Sequence, residues 1–149
     1  MPCRCSPKEI TRYLSRISGP LLDRIDIQLE VTALPVKEIT GASREEPSDA
    51  IRARVQAARE RQQKRFAGEG VRCNAELTAR QVEEVCRPDE EGKAVLERAC
   101  ERYHLSMRAV SRVLKVARTI ADLAGAEEIG KAHVLEAVRY RNLEGGYWK

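Results

Sequence analysis

Ile25, Ile27, Leu29 and Val31 alternate with Asp26, Gln28 and Glu30, the period of a half-buried strand. No second run of this kind follows in the 149 residues. A strand without a partner leaves its backbone donors and acceptors unpaired and is not stable alone. The rest of the chain must therefore fold as helices, and residues 1 to 31 read as cut from something larger.

The helical signals are local and repeated. Ser6, Pro7 and Glu9 form a helix start with a capping box, and Ile10, Tyr13, Leu14 and Ile17 recur on one face, which is expected to be buried. Ser18-Gly19-Pro20 ends that helix. Residues 32 to 47 carry two prolines, a glycine and no periodicity, and read as a linker. A long helix is expected from Ser48 to about Phe66, with Ile51, Val55, Ala58 and Phe66 on one face. A short one follows from Thr78 to Cys86, with Thr78 and Gln81 as its capping box, and another from Pro88 to about Tyr103, acidic in its first turn.

Ser106 opens the most regular helix, and Gly125 stops it. At about 100° per residue, Ala109, Val110, Val113, Leu114, Ala117, Ile120, Ala121 and Ala124 share a broad apolar face. Arg108, Arg112 and Lys115 form a stripe on the opposite side. A last helix is expected from Lys131 to Tyr140. The fold class is mainly α: a helical bundle over residues 48 to 149, preceded by a linker (33–47) and by one helix and one strand (1–32).

Composition agrees with a solvated helical protein, at 42% hydrophobic, 34% charged and only 4% aromatic residues. A net charge of +4 allows an anionic partner without requiring one. No apolar run approaches the ~18 residues of a membrane span, and the start has no signal-peptide core, so a cytoplasmic location is the default. The five cysteines include Cys73, Cys86 and Cys100, which are widely spaced and read as small apolar residues. Cys3 and Cys5 are half of a zinc site at best, and no metal is expected in this chain.

No self-sufficient active site is visible. A G-x-x-x-x-G-K-[ST] phosphate loop is missing, and His104 and His133 stand alone and read as surface or helix-end residues. What remains is arginine. Arg24 sits in the turn between helix and strand, where a surface ion pair with Asp23 or Asp26 is the plain alternative. From spacing alone, the stripe at Arg108, Arg112 and Lys115 reads first as a solvated helix back, and Arg24 as a surface ion pair.

The segment CRCSPKEITRYLSRISGPLLDRIDIQLEV resembles the end of the ATPase core in magnesium-chelatase-like AAA+ proteins of the ComM/YifB competence group. LSMRAVSRVLKVARTIADLAG and HVLEAVRYRNL resemble the helical lid of the same group, and IRARVQAARERQQKRF the link into it. The similarity covers nearly all of residues 3 to 149. It implies that residues 1–32 are the end of the core and residues 48–149 the lid. The LLDR arginine, Arg24, is similar to an arginine finger that reaches the neighbouring subunit's nucleotide. Arg108 resembles the sensor-2 residue that contacts the terminal phosphate of its own subunit's nucleotide.

The resemblance further implies ATP and Mg²⁺ as ligands of a full-length parent, a ring of subunits (six-membered) and DNA as a plausible partner. Walker A, Walker B and an N-terminal protease-like domain are missing from this sequence, so the chain alone is expected to be inactive and to bind no cofactor. By the same resemblance Cys3 and Cys5 belong to a four-cysteine cluster, Met1 is not the parent's own start, and RNLEGGYWK is a natural terminus. The competing reading is an independent helical module that binds nucleic acid through the basic residues between Arg52 and Arg65 and the later stripe.

Overall fold

A computed structural model describes residues 4–29, 31, 33 and 46–141. Cys3, most of the expected linker and residues 142–149 lie outside the described residues. Seven α-helices appear among them: α1 Pro7–Leu14, α2 Gly19–Leu22, α3 Ser48–Arg65, α4 Ala79–Val85, α5 Glu90–Tyr103, α6 Met107–Ala124 and α7 Lys131–Arg139. A 3₁₀ turn, Asn74–Glu76, lies between α3 and α4.

The helix starts follow from local chemistry. Ser6 accepts from the Glu9 amide while the Glu9 carboxylate accepts from the Ser6 amide, and Thr78 and Gln81 repeat this reciprocal box at α4. Asp89 caps α5 by accepting from the Gly92 amide at 2.6 Å. Ser106 caps α6, and Gly125 ends it in the left-handed region at φ 76°. Both histidines are helix-end residues: His104 closes α5, and His133 Nδ1 accepts from the Gly130 amide at 2.9 Å to open α7.

The core lies where α5, α6 and α7 meet, with α3 and α4 packed against α6. Val113, Ala117, Ala121, Ile129, Val134 and Ala137 are fully buried, joined by Phe66, Leu77, Val82 and Cys86. Burial pushes the Cys86 thiol up to about 11, so it serves as an apolar side chain rather than a nucleophile. α5 and α7 approach closely at Gly92, where a Cβ would lie 3.0 Å from Pro88 Cβ and 3.2 Å from Val134 Cγ2. The Asp89 amide donates to Ile129 O at 2.9 Å, which ties the start of α5 to the α6–α7 connection.

Only a side chain tolerant of positive φ fits after α6. Gly125→Ala should lower the unfolding free energy by about 1–2 kcal/mol, the cost of a left-handed L-residue. Urea denaturation of the two proteins measures it, and an unchanged midpoint would refute the role of Gly125 as the stop.

The N-terminal segment differs from expectation in two ways. Among the described residues there is no strand, and 25–29 pair with no neighbour strand. Their alternation is real but faces the other way: Asp26 and Gln28 are half-buried against the bundle, while Ile25, Ile27 and Leu29 are 38%, 50% and 66% exposed. α1 likewise buries no residue, and its expected inner face is exposed at Ile10, Tyr13 and Ile17, with only Leu14 half-buried. The physical reason is the same for both. An apolar face is buried only if something covers it, and the described residues supply no cover. On α3 the expected face is split, with Ala58 buried, Phe66 buried just past its end, and Ile51 and Val55 exposed.

Candidate functional site

The turn that carries Arg24 is built from its own hydrogen bonds. Ser18 O accepts from the amides of Leu21 and Leu22 at 3.0 and 3.1 Å, and the Arg24 amide donates to Leu21 O at 2.9 Å. The following residues then dock on the bundle. The Gln28 amide donates to Tyr140 O at 2.6 Å, its side chain to Leu22 O at 3.2 Å, and Arg141 Nη1 to Ile25 O at 2.5 Å.

The acids on either side of Arg24 are both engaged, but not by Arg24. Asp23 accepts from Ser106 Oγ at 3.1 Å and lies 3.6 Å from Arg141 Nη2. Asp26 pairs with Arg112 of α6. Arg141 is nearly enclosed, with 6% of its side chain exposed. Burial pushes its pKa below the ordinary guanidinium value; Asp23 and Asp26 oppose that push and Arg112 adds to it. The four charges therefore form one cluster. The plain alternative for Arg24, an ion pair with Asp23 or Asp26, is not what the structure contains.

Ser106 links the turn to α6. Its hydroxyl accepts from the Ala109 amide at 3.2 Å as the cap and donates to Asp23. Arg108 follows two residues later and is exposed. Of its stripe, Arg112 is held by Asp26 and Lys115 Nζ donates to Ala75 O at 3.1 Å. Among the described residues, the guanidinium groups of Arg24 and Arg108 have no ion pair or hydrogen bond. Arg24 and Arg108 share this with the exposed Arg4, Arg12, Arg61 and Arg139, and differ from Arg112, Arg118 and Arg141, whose guanidinium groups are tied into the fold. A half-open apolar groove of about 320 Å³ lies beside this cluster, lined by Ile27, Val116, Ile120, Leu123 and Tyr140. Neither Arg24 nor Arg108 lines it, and its one cation, Lys115, is bonded to backbone.

A second polar cluster was not legible in the sequence. Asp122 is fully buried and receives Arg65 through two contacts of 2.5 and 3.0 Å. It also receives Arg118 at 3.1 Å and Asn74 Nδ2 at 2.8 Å. Arg118 further donates to Glu127 O and Ala126 O at 2.7 and 2.8 Å. Gln62 Oε1 accepts from the Asn74 amide at 3.0 Å. Burial pushes Asp122 upward, but hydrogen bonds from Arg65 and Asn74 and the charges of Arg118 and Arg65 outweigh it, so its pKa lies below the ordinary value. This cluster fastens α3 and the 3₁₀ turn to α6, the helix that presents Arg108. The i, i+4 spacing of Arg118 and Asp122 was the one available signal.

Of the six basic residues expected on α3 (52, 54, 59, 61, 64 and 65), Arg52 pairs with Asp49, Arg54 with Glu46, and Arg65 with Asp122. They do not form a continuous free stripe. Among the described residues no group of three or more His, Cys, Asp or Glu is placed to hold a metal ion, and no helix is long and apolar enough to cross a membrane.

A family model for magnesium chelatase, subunit ChlI, C-terminal, matches residues 45–141, and one for magnesium chelatase, subunit ChlI, matches residues 1–39. The chain belongs to the magnesium chelatase family. This magnesium-chelatase-type chain is 42% identical over 141 residues to the competence protein ComM of Haemophilus influenzae, covering 94% of the chain and 27% of that relative. It is 41% identical over 142 residues to the uncharacterized protein YifB of Salmonella typhimurium, covering 95% of the chain and 27% of that protein. YifB of Escherichia coli is 41% identical over 143 residues, with the same 95% and 27% coverage. The chain thus spans about a quarter of the length of these relatives. Arg24 lies in the part matched to subunit ChlI and Arg108 in the part matched to its C-terminal region.

Proposed function

We propose that this chain is the C-terminal segment of a ring-forming AAA+ ATPase, in which Arg24 reaches the nucleotide of the neighbouring subunit and Arg108 that of its own. The observation that carries this reading is that Arg24 stays unpaired between two acids that are both engaged by other residues. Asp23 and Asp26 flank Arg24 yet are bound by Ser106, Arg141 and Arg112, which leaves its guanidinium exposed. Arg108 is equally exposed at the start of α6. An unpaired arginine on a hydrogen-bonded turn or a capped helix is ready for an anion, because little must be broken or desolvated to meet it.

Phosphoryl transfer concentrates negative charge on the equatorial oxygens of the transferred group. A guanidinium supplied across a subunit boundary offsets that charge where it develops, and a second one in cis orients the terminal phosphate. The sequence carries no G-x-x-x-x-G-K-[ST] loop to hold the β-phosphate and Mg²⁺. ATP with its Mg²⁺ would therefore be held by segments outside this chain, and the chain alone should not turn over ATP. The outward apolar residues Ile25, Ile27 and Leu29 suit a segment that packs against such a core. The energy of hydrolysis would drive DNA remodelling in recombination or transformation, in a cytoplasmic ring.

Arg108 provides the direct test. In the full-length protein, Arg108→Ala removes one charge-assisted hydrogen bond to phosphate, worth about 1.5–3 kcal/mol. ATP affinity, followed by titration of a fluorescent analogue, should weaken by about tenfold or more, and turnover should fall with it. Unchanged affinity and turnover would remove Arg108 from the site.

A further inference from the structure

We infer that Arg112 and Arg141 are positioning residues for Arg24, acting by occupying the two acids that would otherwise capture it. The inference rests on the proposed role of Arg24 and adds a reason why that arginine stays free. Asp23 precedes Arg24 by one residue and Asp26 follows by two, so both carboxylates are its nearest candidate partners in sequence. Each is instead held by an arginine of the lid, Asp26 by Arg112 within α6 and Asp23 by Arg141 just beyond α7. The Ser106 hydroxyl supplies a further bond to Asp23, at 3.1 Å.

The competition is unequal, and burial decides it. Arg141 keeps only 6% of its side chain exposed and Arg112 only 27%, whereas Arg24 is exposed. A cation already desolvated loses more than an exposed one when its carboxylate is taken away. Arg141 also donates to Ile25 O, and the Gln28 amide to Tyr140 O, so backbone bonds hold the same segment in place. Asp23 and Asp26 therefore face the lid, and Arg24 faces out. The lid thus does more than present Arg108: it keeps the neighbour-facing arginine available.

The test uses the full-length protein and reads kcat and KM for ATP separately. Arg112→Gln frees Asp26 to pair with Arg24, an interaction of surface strength, so kcat should fall about fivefold with KM nearly unchanged. Adding Asp26→Asn removes the captor, and the double variant should return to within about twofold of the original kcat. Removing both partners can also relieve an orphaned charge in a merely structural latch, but such a latch would lose exchange protection in Arg112→Gln, whereas capture of Arg24 lowers kcat with protection intact. Hydrogen exchange at the Gln28 amide and within α6 checks that both variants remain folded. A double variant as slow as Arg112→Gln, or an unchanged kcat in Arg112→Gln while Arg24→Ala is slow, would overturn the inference and leave the role of Arg24 standing. Full turnover in Arg24→Ala would instead overturn the proposed function itself.

Discussion

Replacing Arg24 by alanine in the full-length protein should lower ATP turnover by about 10³-fold or more, while the affinity for ATP changes little. A loss of 10³ corresponds to about 4 kcal/mol of transition-state stabilisation. That is large for a residue whose side chain is exposed and makes no hydrogen bond or ion pair among the described residues, and the contrast is the point. Its removal leaves no cavity and no orphaned partner, because Asp23 and Asp26 already have theirs. Stability of the chain should therefore be unaltered within about 0.5 kcal/mol, the range for surface substitutions. Mixing variant and original subunits sharpens the measurement. If the arginine acts across a boundary, activity in mixed rings should follow the pairing of neighbours rather than the fraction of intact subunits. Near-normal turnover in the homogeneous variant would end the assignment.

The largest stability effect is expected at Asp122. Its carboxylate is fully buried between Arg65 and Arg118, whose side chains are 23% and 4% exposed. Asp122→Ala strands Arg118 with its charge still buried, and breaking such a pair from one side costs about 3–5 kcal/mol. Against a total of about 5–15 kcal/mol, this should shift the urea midpoint of the chain far down. A loss below about 1 kcal/mol would show that water or a rearranged Arg118 replaces the acid. The pH dependence has a definite sign. Asp122 titrates below its ordinary value of 3.8 in the folded state, so its contribution is fully present above that value and is lost as pH falls through the lowered folded one. Stability from this group should therefore be flat from neutral pH down to about 5 and should fall only below about 4.

The contrast between Arg24 and Asp122 also shows how far the sequence could be read. Capping boxes at Ser6 and Thr78, the Ser106 cap and the Gly125 stop were all legible, because each depends on atoms within four residues of one another. The apolar face of α6 was legible for the same reason, since Val113, Ala117 and Ala121 recur at helical spacing and are all buried. Arg118 and Asp122 interrupt that face with charge, and their burial depends on Arg65 and Asn74, 57 and 48 residues from Asp122. No local pattern announces such a meeting. Arg24 and Arg108 were reached by resemblance; spacing alone favoured a surface ion pair at Arg24.

The segment from Ile25 to Leu29 marks the boundary most clearly. Its alternation of apolar and polar residues is a property of the sequence, and it carries over into the structure as two faces of different exposure. Which face turns inward was decided by tertiary contacts. Arg112, Tyr140 and Arg141 offer charge and backbone polar groups, so Asp26 and Gln28 dock and the apolar side chains are left the more exposed. By itself, then, the sequence determined the helices, their caps and the family to which the chain belongs, all of which rest on short-range chemistry and residue identity. Only the folded chain decided which charges neutralise one another and that Arg24, between two acids, stays free, because a charge finds its partner across space and not along the chain.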